Sequence, residues 1–375
     1  METSKLKVAI VCDWLTGLGG AERVVVELHK LYPEAPIYTS QYEPTKIDGF
    51  TGADIRSSWL QKLPKGLKKF LPILRAWTFS RLDLSGYDLV ISASGAEAKA
   101  VKTGPKTINI CYCHSPTQYY WNRYDEYLKS PGFPAGFNAL ARLALKILVG
   151  PLRRWDRKAA QRPNYMIANS NHTQAMIKKY YGRDSVVIYP PVDIERFRPA
   201  SDGGTRHGFV TAGRQTPYKR IDLAVMACSS LSLPLTVVGD GPEHAKLARL
   251  AGPTVSFETG VADSEIPLYF QQAEAFIFPT NIEDFGVTAV EALASGTPVI
   301  AYDKGGPTDY ISPGQTGEFF TKQSVESLAN VLSSFQEGKY DHAAIRQSAE
   351  RFSADVFQAS IKQFTKKLLG TKISS

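Results

Sequence analysis

Cysteine is scarce. Cys12, Cys111, Cys113 and Cys228 are the only four among 375 residues. Each sits within or beside an apolar run, and they are too few and too scattered to staple a fold, so a disulfide scaffold is excluded and a reducing compartment is expected. Long apolar runs are missing too. The richest, Leu140 to Leu152, is interrupted by Lys146 and falls short of the ~18 apolar residues a spanning helix needs, so no segment is expected to cross a membrane. Met1 to Lys5 leads into Leu6 to Cys12, an apolar stretch too short for a signal peptide and closed by Asp13, and no secretory signal is expected. A composition of 43% hydrophobic and 21% charged residues excludes disordered and collagen-like chains.

What is present is length enough for two domains of roughly 150 to 200 residues. Short β-branched runs recur, each followed by turn residues and then by a stretch with helical spacing, the pattern of parallel sheets with crossover helices. Strands are expected at Val8–Val11, Pro36–Thr39, Leu89–Ser92, Ile108–Cys111, Met166–Ala168 and Val186–Tyr189. A second set is expected at Gly208–Ala212, Leu235–Val238, Val255–Phe257, Ala275–Phe278 and Val299–Tyr302. Between the sets, Pro190-Pro191-Val192-Asp193 through Asp202-Gly203-Gly204-Thr205 lacks period and reads as a linker. The expected organisation is a first domain over 1–190, a linker over 191–205, a second domain over 206–352 and a helix over 353–375 returning to the first. Its apolar stripe is Phe357, Ile361, Phe364 and Leu368. The fold class is α/β, two doubly wound domains facing across a cleft lined by the carboxyl ends of their strands.

The net charge of +8 conceals an asymmetry: residues 1–190 carry 27 Lys and Arg against 15 Asp and Glu, the remainder 17 against 21. The first half is drawn to an anionic partner. Two segments hold much of the excess: Trp59 to Trp77, with Lys62, Lys65, Lys68, Lys69 and Arg75, and Phe137 to Lys158, where Arg142, Lys146, Arg153 and Arg157 share one helical face. Pro151 is expected to start a new helix there. Two readings stand, an interfacial surface attracted to anionic lipid and an amphipathic helix with a solvated basic face; the charge of this half favours the first. No nucleic-acid recognition module is evident.

Gly17-Leu18-Gly19-Gly20-Ala21-Glu22 follows the first strand and opens a helix whose amides suit a phosphate. It also suits a plain tight turn. Glu22 stands where a dinucleotide fingerprint has its third glycine, which disfavours nicotinamide and an oxidoreductase. Cys111-Tyr112-Cys113-His114 matches no zinc spacing; His114 is expected at a strand's carboxyl end, either facing the cleft or serving structurally. The polar and aromatic Ser115 to Trp121 suits stacking on a sugar or ring. Arg214 and Lys219 follow the first strand of the second half and could neutralise a diphosphate, or form a solvated basic loop. Glu283 precedes a helix that contains Glu291, and the amides of Phe285, Gly286 and Val287 at its start form an anion site.

Glu283 and Glu291, with Phe285-Gly286-Val287 after the first, resemble the signature of retaining nucleotide-sugar glycosyltransferases of the two-Rossmann GT-B architecture, family 4. Gly19-Gly20, His114, Arg214 with Lys219, Gly239-Asp240-Gly241, Gly305-Gly306 and the return helix extend the resemblance over nearly the whole chain. It implies an acceptor-binding first domain and a second that binds a nucleotide sugar. Glu283 would hold donor-sugar hydroxyls, Phe285, Gly286 and Val287 the sugar or diphosphate, Glu291 the ribose, and Val261 would lie near the base. Arg214 and Lys219 would stabilise the departing diphosphate, backed by Gly19 and Gly20, with His114 beside the transferred sugar. Asp-x-Asp occurs nowhere in the sequence, so these fixed cations take the place of a metal and no metal or other cofactor is expected.

Cys12-Asp13-Trp14 and Cys113-His114-Ser115-Pro116-Thr117-Gln118-Tyr119-Tyr120-Trp121 resemble the branch typified by bacterial O-antigen mannosyltransferases, which implies GDP-mannose as donor. Asp13 and Trp14 are the expected acceptor contacts. Pro307-Thr308-Asp309 departs from the glutamate the family usually shows after Gly305-Gly306. The expected function is mannose transfer to a lipid-linked or polysaccharide acceptor in cell-surface glycan synthesis, by a cytoplasmic protein peripheral at the inner membrane face. A UDP-sugar enzyme and a non-catalytic sugar-binding module are the alternatives.

Overall fold

The computed structural model describes residues 6–17, 19–63, 71–129, 138–199 and 205–373. The chain forms two compact units, Met1–Pro191 with Phe357–Ser375, and Val192–Val356.

The first unit holds β1 (Val8–Cys12), α1 (Gly20–Leu31), β2 (Ile37–Thr39), β3 (Ile55–Ser57), α2 (Leu71–Arg81), β4 (Leu89–Ser94), β5 (Ile108–Cys113), α3 (Tyr124–Lys129), α4 (Asn138–Ala159), β6 (Tyr165–Ala168), α5 (Asn171–Tyr181) and β7 (Val186–Val187). Its strands are all parallel, in the order β3-β2-β1-β4-β5-β6-β7. Ile10 lies opposite Ile37 on one side and Ile91 on the other. β1, β4 and β5 are buried along their whole length, which is why they read as unbroken apolar runs instead of alternating ones.

The second unit holds β8 (Phe209–Ala212), α6 (Ile221–Ser230), β9 (Leu235–Val238), α7 (His244–Leu250), β10 (Val255–Glu258), α8 (Ile266–Gln272), β11 (Ala275–Phe278), α9 (Val287–Ala294), β12 (Val299–Tyr302), β13 (Gly317–Phe320), α10 (Val325–Ser334) and α11 (His342–Ser348). Its parallel sheet has the order β10-β9-β8-β11-β12-β13. All strands expected from the sequence are present. The two additions, β3 and β13, end their sheets. An edge strand has one neighbour, and the exposed Arg56 and Ser57 of β3 leave no apolar run to read.

Residues 192–197, which the sequence reading assigns to the linker, pack into the second unit. Val192, Ile194 and Phe197 are buried, and Val192 N donates to Phe352 O at 2.8 Å beside a bridge to Ser353. Asp202, Gly203 and Gly204 lie outside the described residues. α4 is one helix that continues through Pro151 and does not restart there. Gly150 and Pro151 are exposed, so a carbonyl that loses its donor can turn to water. Among the described residues no helix is long and apolar enough to cross a membrane.

The last helix, α12 (Ala354–Ile373), joins the first unit from Phe357 onward. Phe357 and Ile361 enter the core around β1 and β5, with Phe364 and Leu368 packed at its margin. The Phe357 ring meets Tyr112 edge-on at 5.8 Å between ring centres. Polar contacts flank the stripe: Gln358 Nε2 donates to Glu27 Oε2 at 2.6 Å, and Thr365 Oγ1 lies 3.1 Å from the Tyr32 hydroxyl. Ile361→Ala should therefore destabilise the first unit by about 2–5 kcal/mol, measurable as a shift in the denaturant midpoint.

Candidate active site

In the second unit every sequence-identified site residue lies at or beyond the carboxyl end of a strand, where parallel sheets bind ligands. Strand order reverses between β8 and β11. Lys219 leaves β8 and Glu283 leaves β11, and they meet there, Nζ to Oε2 at 2.7 Å, both largely buried. The Lys219 ammonium also lies 5.3 Å from the ring centres of Tyr218 and Phe278. Arg214, on the same loop, is exposed, with no side-chain hydrogen bond or ion pair among the described residues. The loop is set by backbone pairing to the Gly239–Gly241 turn: Gly213 N donates to Val238 O and Gln215 N to Asp240 O, at 3.0 and 2.9 Å.

Glu283 is held by its backbone. Gly306 N donates to Glu283 O at 2.7 Å, and a Cβ on Gly306 would strike the Phe285 backbone. Only glycine lets the two chains approach this closely. The Tyr310 hydroxyl donates to Phe285 O at 2.8 Å and reaches Gly286 O at 3.2 Å. Gly286 then takes φ +91° as the residue before α9, so the chain turns into the helix with its first amides lacking intrahelical acceptors. Gly286 and Val287 stand at that positive helix end. Glu291 lies one helical turn further on and is buried. Val261 lies in the turn between β10 and α8, next to Asp263. Asp309, in place of the family's glutamate, has its carbonyl taken by Arg351 Nη2 at 2.8 Å.

In the first unit strand order reverses between β1 and β4. Asp13, expected to face an acceptor, turns inward instead. Its carboxylate accepts from the amides of Ala98, Gly95 and Ala96 at 2.7, 2.8 and 3.0 Å, which leaves it buried and engaged in closing the loop after β4. Trp14 lies half-buried under the Arg75 guanidinium at 4.7 Å. Arg75 in turn pairs with the buried Glu97 at 2.7 Å. Gly19 N is capped by Glu22 Oε2 at 3.1 Å, so the residue in the fingerprint's third-glycine place serves as a helix cap; Gly20 begins α1. Leu18 lies outside the described residues.

His114 follows β5, its backbone fixed by Ser94 O at 3.0 Å and by Asn169 Nδ2 at 2.9 Å. Its Nε2 is buried with no hydrogen-bond partner among the described residues. Burial pushes its pKa down to about 4, only partly opposed by Asp13, so the ring is neutral at pH 7 and keeps one unfilled hydrogen-bonding position. Cys111 and Cys113 are buried, free thiols within β5. Among the described residues no group of three or more His, Cys, Asp or Glu could hold a metal.

Sequence reading missed a buried polar layer in the first unit. Lys99 and Asp156 form an ion pair of 2.7 Å, both essentially inaccessible. Asp156 also accepts from Trp121 Nε1, Tyr181 OH and Thr117 Oγ1 at 2.7, 2.8 and 2.9 Å. A lysine between alanines, Ala98-Lys99-Ala100, and a lone aspartate among arginines were the available signals. Their pairing is long-range and invisible in either segment.

The basic face of α4 also departs from expectation. Arg142 donates to Leu128 O and Lys129 O, Arg153 to Tyr120 O and Arg157 to Tyr180 O. Three of the four cations on that face thus hold backbone carbonyls, at the ends of α3 and α5 and in the turn before α3. Besides the exposed Arg142, Lys146 and Arg157, the helix presents an apolar stripe to solvent, Leu140 (64% exposed), Leu143 (55%) and Ile147 (64%). Trp59, Ile73 and Trp77 are further exposed apolar groups, with the two indoles edge to face at 6.2 Å. Lys65, Lys68 and Lys69 lie outside the described residues.

Residues 18–196 match the family described as Glycosyltransferase Family 4, and residues 193–352 match Glycosyl transferases group 1. The chain belongs to the family 4, group 1 glycosyltransferases. Among relatives in that family, a GDP-mannose-dependent alpha-mannosyltransferase of Mycobacterium tuberculosis is 36% identical over 34% of this chain and 35% of its own. A GDP-mannose-dependent alpha-(1-6)-phosphatidylinositol monomannoside mannosyltransferase of the same organism is 29% identical over 44% and 50%. A D-inositol 3-phosphate glycosyltransferase of Streptomyces coelicolor is 26% identical over 54% and 57%. The chain thus spans about a third to rather more than half the length of these curated relatives. Among solved structures, Anabaena Alr3699/HepE in complex with UDP-glucose matches with TM-score 0.69 at 18% identity, over 97% of this chain and 100% of that one. The lipopolysaccharide outer core galactosyltransferase WaaB matches with TM-score 0.67 at 18% identity, over 96% and 100%. At that identity the likeness establishes the fold, the GT-B arrangement of two parallel α/β sheets.

Between pH 6.5, the ordinary value for histidine, and about 4 the unfolded chain takes up a proton at position 114 that the folded chain refuses. Stability therefore falls as pH drops through this window. In His114→Asn the denaturation midpoint should fall less steeply between those two pH values, as read by urea titration at several pH values.

Proposed function

We propose that this protein is a retaining, metal-independent hexosyltransferase that moves mannose from GDP-mannose to a lipid-linked or polysaccharide acceptor. The observation that carries the reading is the Lys219–Glu283 pair at the β8/β11 reversal, beside the amides that open α9. Breaking the bond between the sugar's anomeric carbon and the diphosphate leaves negative charge on phosphate and positive charge at that carbon. Lys219 and Arg214 neutralise the first, together with the amides of Phe285, Gly286 and Val287. Glu283 orients the sugar through its hydroxyls, and its pairing with Lys219 fixes both groups before substrate arrives. Glu291 receives the ribose and Val261 borders the base. His114, neutral and with an unfilled position on Nε2, hydrogen-bonds the transferred sugar. The acceptor oxygen bonds to the anomeric carbon on the face that the phosphate leaves, and its proton passes to the departing phosphate oxygen.

The donor assignment is supported by the GDP-mannose-dependent relatives. A UDP-sugar donor on the same machinery is the alternative reading. Trp14, half-buried near the end of β1, is retained as an acceptor contact, whereas Asp13 acts only through the loop it closes. Placement at the inner membrane face is supported by the basic first half and the exposed stripe on α4. The pathway proposed with such an acceptor is cell-surface glycan synthesis, O-antigen included.

Glu283→Gln and Lys219→Ala should each lower transfer from GDP-mannose by roughly 100-fold or more, with the thermal transition retained and wild-type turnover unchanged in excess EDTA. Near-normal turnover in either variant overturns the site. A response to UDP-glucose and none to GDP-mannose overturns the donor. Leu143→Ser combined with Ile147→Ser should reduce sedimentation with phosphatidylglycerol vesicles about tenfold, leaving transfer to a water-soluble acceptor intact.

A further inference from the structure

Arg196 is used by no part of that mechanism, yet its side chain meets an aromatic ring and two carboxylates. It lies in the segment 192–197 that packs beside the β8 sheet, and its backbone amide donates to Asp193 Oδ1 at 3.2 Å. The guanidinium carbon stands 4.5 Å from the ring centre of Phe197, which is itself buried against Phe270 at 5.8 Å. One guanidinium nitrogen, Nη1, pairs with Asp263, and the other, Nη2, stands 4.0 Å from Glu291 Oε1. Its Nε is buried with no partner among the described residues. A planar cation is thus fixed between carboxylates from two different elements, the turn that carries Val261 and the helix α9.

We propose that Arg196 is the positioning residue for the ribose end of the nucleotide. The inference rests on the reading of Glu291 as the ribose carboxylate. A carboxylate that accepts from two ribose hydroxyls has to be aimed, and Glu291 is buried with its Oε1 4.0 Å from Arg196 Nη2. Arg196 supplies the opposing charge from a planar group that Phe197 and Asp263 hold still. Through Asp263 it also fixes the turn bordering the base, so both contacts of the nucleoside share one cation. That interaction is the same in the bound donor and in the transition state, so its loss raises KM and leaves kcat unchanged.

The test uses the full chain as wild type and three variants, Arg196→Gln, Arg196→Lys and Asp263→Asn. GDP and UDP are titrated calorimetrically, and inorganic pyrophosphate, which has no ribose, is the control inhibitor. Arg196→Gln should weaken binding of the nucleotide that wild type takes, and raise donor KM, by about tenfold or more, with kcat within about twofold and pyrophosphate inhibition unchanged. Arg196→Lys should recover part of the loss, and Asp263→Asn, which keeps the cation, should cost less than Arg196→Gln. Nucleotide binding within about twofold of wild type in Arg196→Gln overturns the inference, as does a fall in kcat at constant KM or an equal loss of pyrophosphate inhibition. Wild type that binds neither GDP nor UDP overturns the proposed function instead, which separates the two failures.

Discussion

An all-parallel sheet wound in both directions has to reverse its strand order at one point, and there the connecting loops part and leave a crevice at the carboxyl ends. Each unit of this protein has one such point, at β1/β4 and at β8/β11, and the chain fills the two in opposite ways. At the first, Asp13 crosses the gap and is consumed by three backbone amides. At the second, Lys219 and Glu283 cross it as a pair of side chains whose charges can be redistributed onto a ligand. The first reversal is thereby held by a carboxylate bound to backbone, whereas the second carries the side-chain ion pair on which the proposed chemistry rests. One strand further along, at the carboxyl end of β5, the first unit presents an unsatisfied buried group on His114.

That displacement depends on buried charge. Asp13 fixes the loop from Gly95 to Ala98, and Lys99, next in the chain, reaches Asp156 on α4. Asp156 then gathers Thr117, Trp121 and Tyr181 from two other elements. A buried ion pair adds little net stability over an apolar substitute, yet removing one partner costs several kcal/mol because the other charge is stranded. The arrangement therefore functions as a registration device: five segments have to be in place together for Lys99 and Asp156 both to be satisfied. The Ser115–Trp121 stretch, read from sequence as a stacking platform, owes its position to this layer. Trp121 itself lies stacked on Tyr180 at 4.8 Å, an internal use of the ring.

What the sequence displayed follows the same physics. Central strands such as Val8–Cys12 and Ala275–Phe278 are covered on both faces, and that burial dictates the unbroken apolar runs from which they were read. Glu283, Lys219 and Arg214 were legible because each follows such a run and a turn, which places it at a strand's carboxyl end. The edge strands β3 and β13 needed no such run and left none. Long side chains were the least legible. Arg142, Arg153 and Arg157 share a helical face as their spacing implies, but nothing in the spacing indicates that carbonyls of other segments lie within their reach. Lys99, Asp156 and Arg196 were missed for the same reason, since each partner is distant in sequence. Gly305 and Gly306 were noticed as a motif, while their purpose, backbone against backbone under Glu283, is a tertiary fact.

The discontinuity of the first unit has a consequence for synthesis. Its core includes Phe357 and Ile361, which leave the ribosome only after the whole of Val192–Val356 has been made. The usual order, in which the earlier domain completes itself first, is reversed in its final step. The second unit can close while the first still lacks a wall, with Tyr112 and the flank of α1 awaiting α12. During that interval the first unit exposes an apolar groove shaped for an amphipathic helix, a surface on which a chaperone or a second nascent chain can compete with the protein's own last helix.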